Sequence, residues 1–123
     1  MPIDRKEAIR QYKERPRGYG VAVARNTTNG KVFVFSGIDI EALINRNRTQ
    51  LKFGGHPNKS MQADWNAVGG DHFTFEVVDT LSPPANDPQA DLRDECKALE
   101  ALWMEKLAPY EPAGYHRPPR TDR

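Results

Sequence analysis

The side chains best suited to chemistry are a histidine, two arginines and a glutamate. His56 follows two glycines. A histidine near its ordinary pKa can accept a proton from water, although one at the start of a helix can equally bond the backbone. Arg46 and Arg48 are two positions apart, so on a helix they point in different directions and at most one faces a given site. Glu100 lies at the edge of an apolar helical stripe, where it is either a ligand that reaches over a sheet or a plain surface glutamate.

The composition excludes several classes of protein. The chain has 123 residues, of which 37% are apolar and 28% charged, as is typical of one soluble domain with a modest core. No window approaches the roughly 18 apolar residues of a membrane span, and the N-terminus lacks the apolar segment of a secretion signal. The single cysteine, Cys96, excludes an internal disulfide and any multi-cysteine metal site, and a cytoplasmic location is expected.

The net charge of +1 conceals an asymmetry between the two halves. Residues 1–61 contain 12 Lys and Arg against 5 Asp and Glu, whereas residues 62–123 contain 6 against 12. A basic half favours phosphate-bearing partners such as nucleic acid. The alternative is that the two halves neutralise each other in the folded domain.

The first elements predicted are a basic helix and a hairpin. Residues 4–15 form a short helix, which is either solvated or a phosphate-contacting arm, with Asp4 as its cap and Pro16 at its end. The residue pattern is typical of a strand over 20–25 and again over 31–36. The Asn-Thr-Thr-Asn-Gly between them predicts a hairpin.

Two helices, a third strand and a last helix follow. Residues 39–53 and 58–68 repeat apolar side chains near the helical period and are each followed by two glycines. Residues 73–79 alternate as a strand, and residues 91–107 carry an apolar stripe suited to packing on a sheet. The stripe consists of Leu92, Cys96, Leu99, Trp103 and Leu107.

This order predicts an α+β domain with a small three-stranded antiparallel sheet flanked by helices, in the order helix-strand-strand-helix-helix-strand-helix. Because valines and phenylalanines alternate in the second strand, helices should cover both faces of the sheet. We divide the chain into a basic helix over 1–17, a domain over 18–116 and a flexible tail over 117–123.

Five features in a fixed order carry a family resemblance. They are the hairpin, His-Pro-Asn at 56–58, Gln-Ala-Asp-Trp-Asn at 62–66, Phe-Thr-Phe-Glu-Val at 73–77 and Leu-Glu-Ala-Leu-Trp at 99–103. Together they resemble the GIY-YIG nuclease superfamily, most closely the small branch labelled LuxR-like. The resemblance covers residues 18–116 and implies the α+β fold above.

The resemblance also implies an activity, the metal-dependent hydrolysis of phosphodiesters. In that family a tyrosine positions or deprotonates the attacking water, a glutamate holds a divalent ion against the phosphate, and an arginine steadies the charge that builds on phosphorus. Mg²⁺ or Mn²⁺ is therefore the implied cofactor, and nucleic acid, with DNA favoured, is the implied partner. By position, Glu100 matches the metal-binding glutamate, and the late asparagine of the homing enzymes is His116.

The two motifs that name the family are degenerate in this chain. The first falls on residues 20–22, so its tyrosine is replaced by Ala22, which has no proton to exchange. The second falls on residues 33–35, where Phe33 lacks the tyrosine hydroxyl and Phe35 replaces the glycine.

The helix after the second motif departs from the pattern as well. Its arginine falls on Leu43 and its histidine on Asn47. Arg46 or Arg48 could substitute for the arginine, and His56 is the candidate replacement base.

Three functions stay open on this basis. One is a nuclease weakened by the lost groups, and another is a degenerate member that binds nucleic acid through its basic half. The third is an interaction module, such as a homodimer, that uses the apolar strand or the first helix. Nucleic-acid contacts are expected at Arg25, Lys31, Arg46, Arg48, Lys52 and Lys59.

Overall fold

Three strands and three helices make up the described part of the chain. The computed structural model describes residues 18–118, so the helix predicted over 4–15 and residues 119–123 lie outside it. The elements are β1 (Tyr19–Asn26), β2 (Val32–Gly37), α1 (Ile40–Lys52), α2 (Lys59–Val68), a 3₁₀ turn (Gly70–His72), β3 (Phe73–Leu81) and α3 (Arg93–Leu107). They confirm the predicted order from the first strand onward.

The strand β1 is the centre of an antiparallel sheet with the order β2-β1-β3. Its side chains alternate between two apolar clusters. Ala22 and Ala24 pack in a cluster with residues of α1 and α2, whereas Val21 and Val23 pack against α3. Helices therefore cover both faces of the sheet, as the alternation predicted.

The helix α3 covers one face through the predicted apolar stripe. Leu99, Trp103 and Leu107 pack against the valine cluster, and Cys96 is buried. The helix begins two residues later than predicted, so Leu92 is its N-cap. Among the helices of residues 18–118, none is long and apolar enough to cross a bilayer.

Side-chain caps determine where α1 and α2 begin. Asp39 accepts a hydrogen bond from the Ala42 N–H at 3.3 Å, and Asn58 accepts one from the Met61 N–H at 2.9 Å. These oxygens satisfy N–H groups that have no partner within the helix. The loop before α2 is held beside α1 by the hydrogen bond between His56 Nε2 and Asn47 Oδ1.

The segment over 109–116 lies along the outer edge of β2. The Tyr115 N–H donates to the Val32 carbonyl at 3.1 Å. The Tyr115 hydroxyl donates to Asp64 at 2.7 Å and accepts from Asn26 at 3.1 Å. Burial raises the pKa of Tyr115 well above its usual range, so the phenol stays neutral and anchors the segment.

We predict that the two clusters carry the stability of the domain. Leu51 of α1 is 1% exposed, whereas Leu102 of α3 is 61% exposed. Leu51→Ala should lower the free energy of unfolding by about 2–5 kcal/mol through the lost transfer energy and the cavity. Leu102→Ala should change it by less than about 0.5 kcal/mol. Urea denaturation followed by circular dichroism measures both, and equal losses would contradict the assignment of Leu51 to the core.

Candidate functional site

A cleft opens at the β2 edge of the sheet, between α1 and α3. Its volume is about 460 Å³. Three elements, the loop before α2 and the C-terminal segment contribute to its walls. The lining residues are Phe33, Val34, Phe35 and Ser36 of β2, Leu43, Arg46, Asn47 and Gln50 of α1, His56, Pro57 and Asn58 before α2, Glu100 of α3, and His116. The structure thus brings together Glu100, Arg46 and His56, which the sequence analysis singled out.

Aromatic rings form the floor of the cleft. The rings of Phe33 and His116 are stacked, with centroids 4.8 Å apart and planes 7° from parallel. The Phe35 ring is also stacked on Phe33, with centroids 5.9 Å apart, and the His56 ring meets Phe33 edge-on at 5.4 Å. Phe33 therefore presents a ring without a hydroxyl at the position where the resemblance implies the second tyrosine.

Phe35 and Ala22 are direct partners in the register of β1 and β2. Both are buried, and both face the cluster of α1 and α2. The family resemblance implies a tyrosine at the position of Ala22 and a glycine at that of Phe35. In this structure a small side chain faces a large one instead, and together they fill the interior.

Glu100 reaches the cleft from α3 across the end of β2. The Ser36 hydroxyl donates a hydrogen bond to its Oε1. Its Oε2 has no hydrogen-bond partner among residues 18–118. The carboxylate is therefore oriented by one contact and retains an oxygen that can accept from water or hold a cation.

His56 has both ring nitrogens in use. Its Nδ1 accepts from the Asn58 N–H at 3.0 Å, so its Nε2 carries the proton and donates to Asn47 Oδ1 at 2.7 Å. Asn47 in turn donates to the Leu43 carbonyl at 2.8 Å. The residue is 3% exposed, and burial lowers the pKa of its ring. These contacts leave no nitrogen free to take a proton from water, so the geometry does not support His56 as the replacement base.

His116 has the opposite arrangement. The Val34 N–H donates to its Nε2 at 2.8 Å, so its Nδ1 carries the proton. Burial lowers its pKa, and the Glu100 carboxylate offsets this in part. Both His56 and His116 are thus held in their neutral forms. The stabilisation that this provides is full above the unfolded pKa of about 6.5 and is lost as the pH falls below it.

The two arginines of α1 point to different places, as their spacing predicted. Arg46 lines the cleft. Arg48 lies over the Phe75 ring of β3, 4.8 Å from its centroid, and is not part of the cleft lining. Of the two arginines, Arg46 is therefore the one that can contact a ligand in the cleft.

The other cations expected to contact nucleic acid are dispersed. Lys59 lines a neighbouring concavity at the start of α2, and Lys31 lies over the Tyr115 ring at 5.7 Å. Arg25 and Lys52 are exposed, on β1 and on the last turn of α1 respectively. None of these four lines the cleft.

The residues of the 62–66 motif hold the walls together. Gln62 bonds both the His56 N–H and the Leu51 carbonyl. Asp64 accepts from the Tyr115 hydroxyl, and the Trp65 ring packs on Phe73 at 5.2 Å. These residues therefore support the walls of the cleft but do not line it.

Sequence reasoning did not select His116, Ser36 or Gln50 as site residues, although all three line the cleft. The correspondence of His116 with the late asparagine of the homing enzymes was a usable signal. The contact between Ser36 and Glu100 joins positions 64 residues apart, and no local pattern predicts it.

The donor set of the cleft is compatible with a magnesium-like ion bound together with substrate. Residues 18–118 hold no group of three or more His, Cys, Asp or Glu side chains that could form a complete metal site. Mg²⁺ keeps several waters and is commonly held by one or two carboxylates plus a substrate phosphate. Glu100, with one oxygen unpartnered, meets that requirement.

Two solved structures resemble the chain, and both are of the catalytic domain of the endonuclease I-TevI. The domain of the homing endonuclease shares 25% sequence identity with this chain, with a TM-score of 0.66. The match covers 82% of this chain and 99% of that one. A variant of the domain with a glutamate-to-alanine substitution is 24% identical with a TM-score of 0.65, and the match covers 85% and 97%. No family model and no curated protein match the chain. I-TevI is a GIY-YIG nuclease, so these structures support the family resemblance and confirm the fold.

We predict opposite tautomers for the two histidines of the cleft. The backbone donor at each ring requires a proton on Nε2 of His56 and on Nδ1 of His116. Long-range ¹H–¹⁵N correlation spectra at neutral pH distinguish the two tautomers directly, with His56→Gln and His116→Gln used to assign the signals. Finding the same tautomer at both positions would contradict the hydrogen-bond network.

Proposed function

We propose that this protein binds nucleic acid, with DNA favoured, at the β2 edge cleft and hydrolyses its phosphodiester bonds slowly in a metal-dependent reaction. The observation that supports this most directly is the meeting of Glu100 and Arg46 in one cleft on the fold of an endonuclease catalytic domain. A carboxylate and a guanidinium on opposite walls are the groups that a bound phosphate and its cation require.

Arg46 is the phosphate contact in this proposal. It forms no ion pair with another residue of the described range, so its guanidinium is available to an incoming anion. Arg–phosphate contacts are favoured because the planar guanidinium can donate two parallel hydrogen bonds. The attraction also steers a strand toward the cleft.

Glu100 is the metal ligand in this proposal. Ser36 holds one carboxylate oxygen, so the other is presented in a defined direction. A bound Mg²⁺ or Mn²⁺ would polarise a phosphate oxygen and stabilise the charge that develops on it. The His116 ring, stacked on Phe33, lies near enough to the Glu100 carboxylate for that charge to raise the pKa of the ring against the effect of burial.

Slow hydrolysis follows from the groups that are missing. Neither tyrosine hydroxyl is present, and His56 is occupied on both nitrogens. General acid–base catalysis contributes typically 10²–10⁴-fold to a rate. A second candidate function is binding of nucleic acid without cleavage. The apolar floor formed by Phe33 and Phe35 favours it, because these rings offer no hydroxyl for catalysis.

Removal of the Glu100 carboxylate tests the hydrolytic part of the proposal. Glu100→Gln should reduce Mg²⁺- or Mn²⁺-dependent nicking of supercoiled plasmid roughly hundredfold or more, because the amide is a poor ligand for the ion. Glu105→Gln, the same change at an exposed site on the same helix, should leave nicking intact. If the unaltered protein nicks no faster than Glu100→Gln, hydrolysis is wrong and binding alone remains.

A matched pair of arginine variants tests the binding part. Arg46→Gln should weaken DNA binding and reduce the slope of log affinity against log salt by about 0.7–0.9, the value for one lost phosphate contact. Arg48→Gln removes the same charge from a side chain that rests on Phe75 and should change the slope less. Fluorescence anisotropy at several salt concentrations measures both, and equal slopes would contradict a special role for Arg46.

A further inference from the structure

Phe53 is a large apolar side chain that the fold does not use. It is 85% exposed, the highest value among the exposed large apolar residues of residues 18–118. It belongs to neither apolar cluster. Removal of a phenylalanine ring from water is favourable, and in the isolated protein Phe53 does not gain this stabilisation.

The helix geometry places Phe53 in line with the cleft. Arg46 and Gln50 of α1 line the cleft, and Phe53 follows at the C-cap of the same helix. Its N–H still bonds the Thr49 carbonyl, so the backbone is helical up to this point. Seven positions are almost two full turns, so Phe53 lies on the same side as Arg46 and about 10 Å further along the axis.

The turn after α1 holds Phe53 in a fixed place. The Gly54 N–H bonds the Leu51 carbonyl at 3.2 Å, and the Gly55 N–H bonds the Gln50 carbonyl at 2.9 Å. Gly54 has a positive φ of 79°, a conformation that favours glycine. Gln62 also donates to the Leu51 carbonyl, so the turn is tied to α2. An exposed ring on so constrained a turn loses little conformational entropy when it binds a partner.

The charges around Phe53 favour a nucleic acid as its partner. Arg46 lies on the same side of α1 as Phe53, and Lys52 directly precedes Phe53 in the chain; both are exposed. The only acidic residue of α1, Glu41, lies in the first turn, at the far end. An exposed ring flanked by cations is the arrangement used for single strands, in which phosphates meet the charges and bases stack on the ring.

We propose that Phe53 stacks on an unpaired base of a strand whose phosphate lies against Arg46 in the cleft. This rests on the proposed function and specifies its ligand as single-stranded or locally unpaired nucleic acid. The 10 Å between the two sites corresponds to about three nucleotides at a stacked rise of about 3.4 Å. In a duplex the base faces are covered by their neighbours, so the contact is available only where bases are unpaired.

The test compares binding of a fluorescein-labelled short oligothymidine and of a blunt duplex, by anisotropy, in EDTA so that no cleavage occurs. Phe53→Ala should weaken binding of oligothymidine roughly 5- to 100-fold, the range for one base–aromatic stack. Its duplex binding and its salt slope should be unchanged because no charge is removed. Phe53→Trp should bind oligothymidine at least as tightly as the unaltered protein.

Leu102→Ala is the matched control because it removes another exposed apolar side chain, from α3, and should leave both affinities unchanged. Melting temperatures of the variants equal to that of the unaltered protein exclude unfolding as the cause of any loss. Equal oligothymidine binding by Phe53→Ala, or an equal loss on duplex, overturns the role of Phe53 but leaves the proposed function intact. No binding of either probe by the unaltered protein overturns both.

Discussion

The cleft depends on how the outer edge of β2 satisfies its backbone hydrogen bonds. In the described residues no fourth strand pairs there. Tyr115 donates to the Val32 carbonyl as a strand would, but the Val34 N–H is taken by the His116 imidazole rather than by a carbonyl. An exposed strand edge usually needs such protection. Here the protecting group is an aromatic ring, and its position against Phe33 forms the floor of the cleft.

The elements of the fold could be predicted because each is specified locally. The period of the apolar residues, the caps and the paired glycines placed every helix and strand from β1 onward within a few residues. The helix geometry also predicted that only one of Arg46 and Arg48 faces a common site. It did not indicate which, because Arg48 is held by Phe75, a contact between distant segments.

The roles of the histidines could not be predicted because they depend on contacts and burial that the local sequence does not specify. His56 is neutral because Asn58, Asn47 and the surrounding apolar residues enclose it. Its sequence neighbours are glycine and proline, which indicate a turn but not burial. The resulting cleft contains one oriented carboxylate, one guanidinium and two neutral imidazoles. Such a set is better suited to holding an anionic strand than to moving protons.

The pairing of Ala22 with Phe35 has a consequence for the substitutions that this interior can accept. A tyrosine at 22 alone would compete with the Phe35 ring for one volume, and overpacking of that kind commonly costs about 1–3 kcal/mol. A glycine at 35 alone would leave a cavity beside Ala22. The two changes made together keep the total volume nearly constant, so their effects on stability are expected to be non-additive. The two positions are therefore epistatic, and any route to a tyrosine at 22 by single substitutions passes through a destabilised variant.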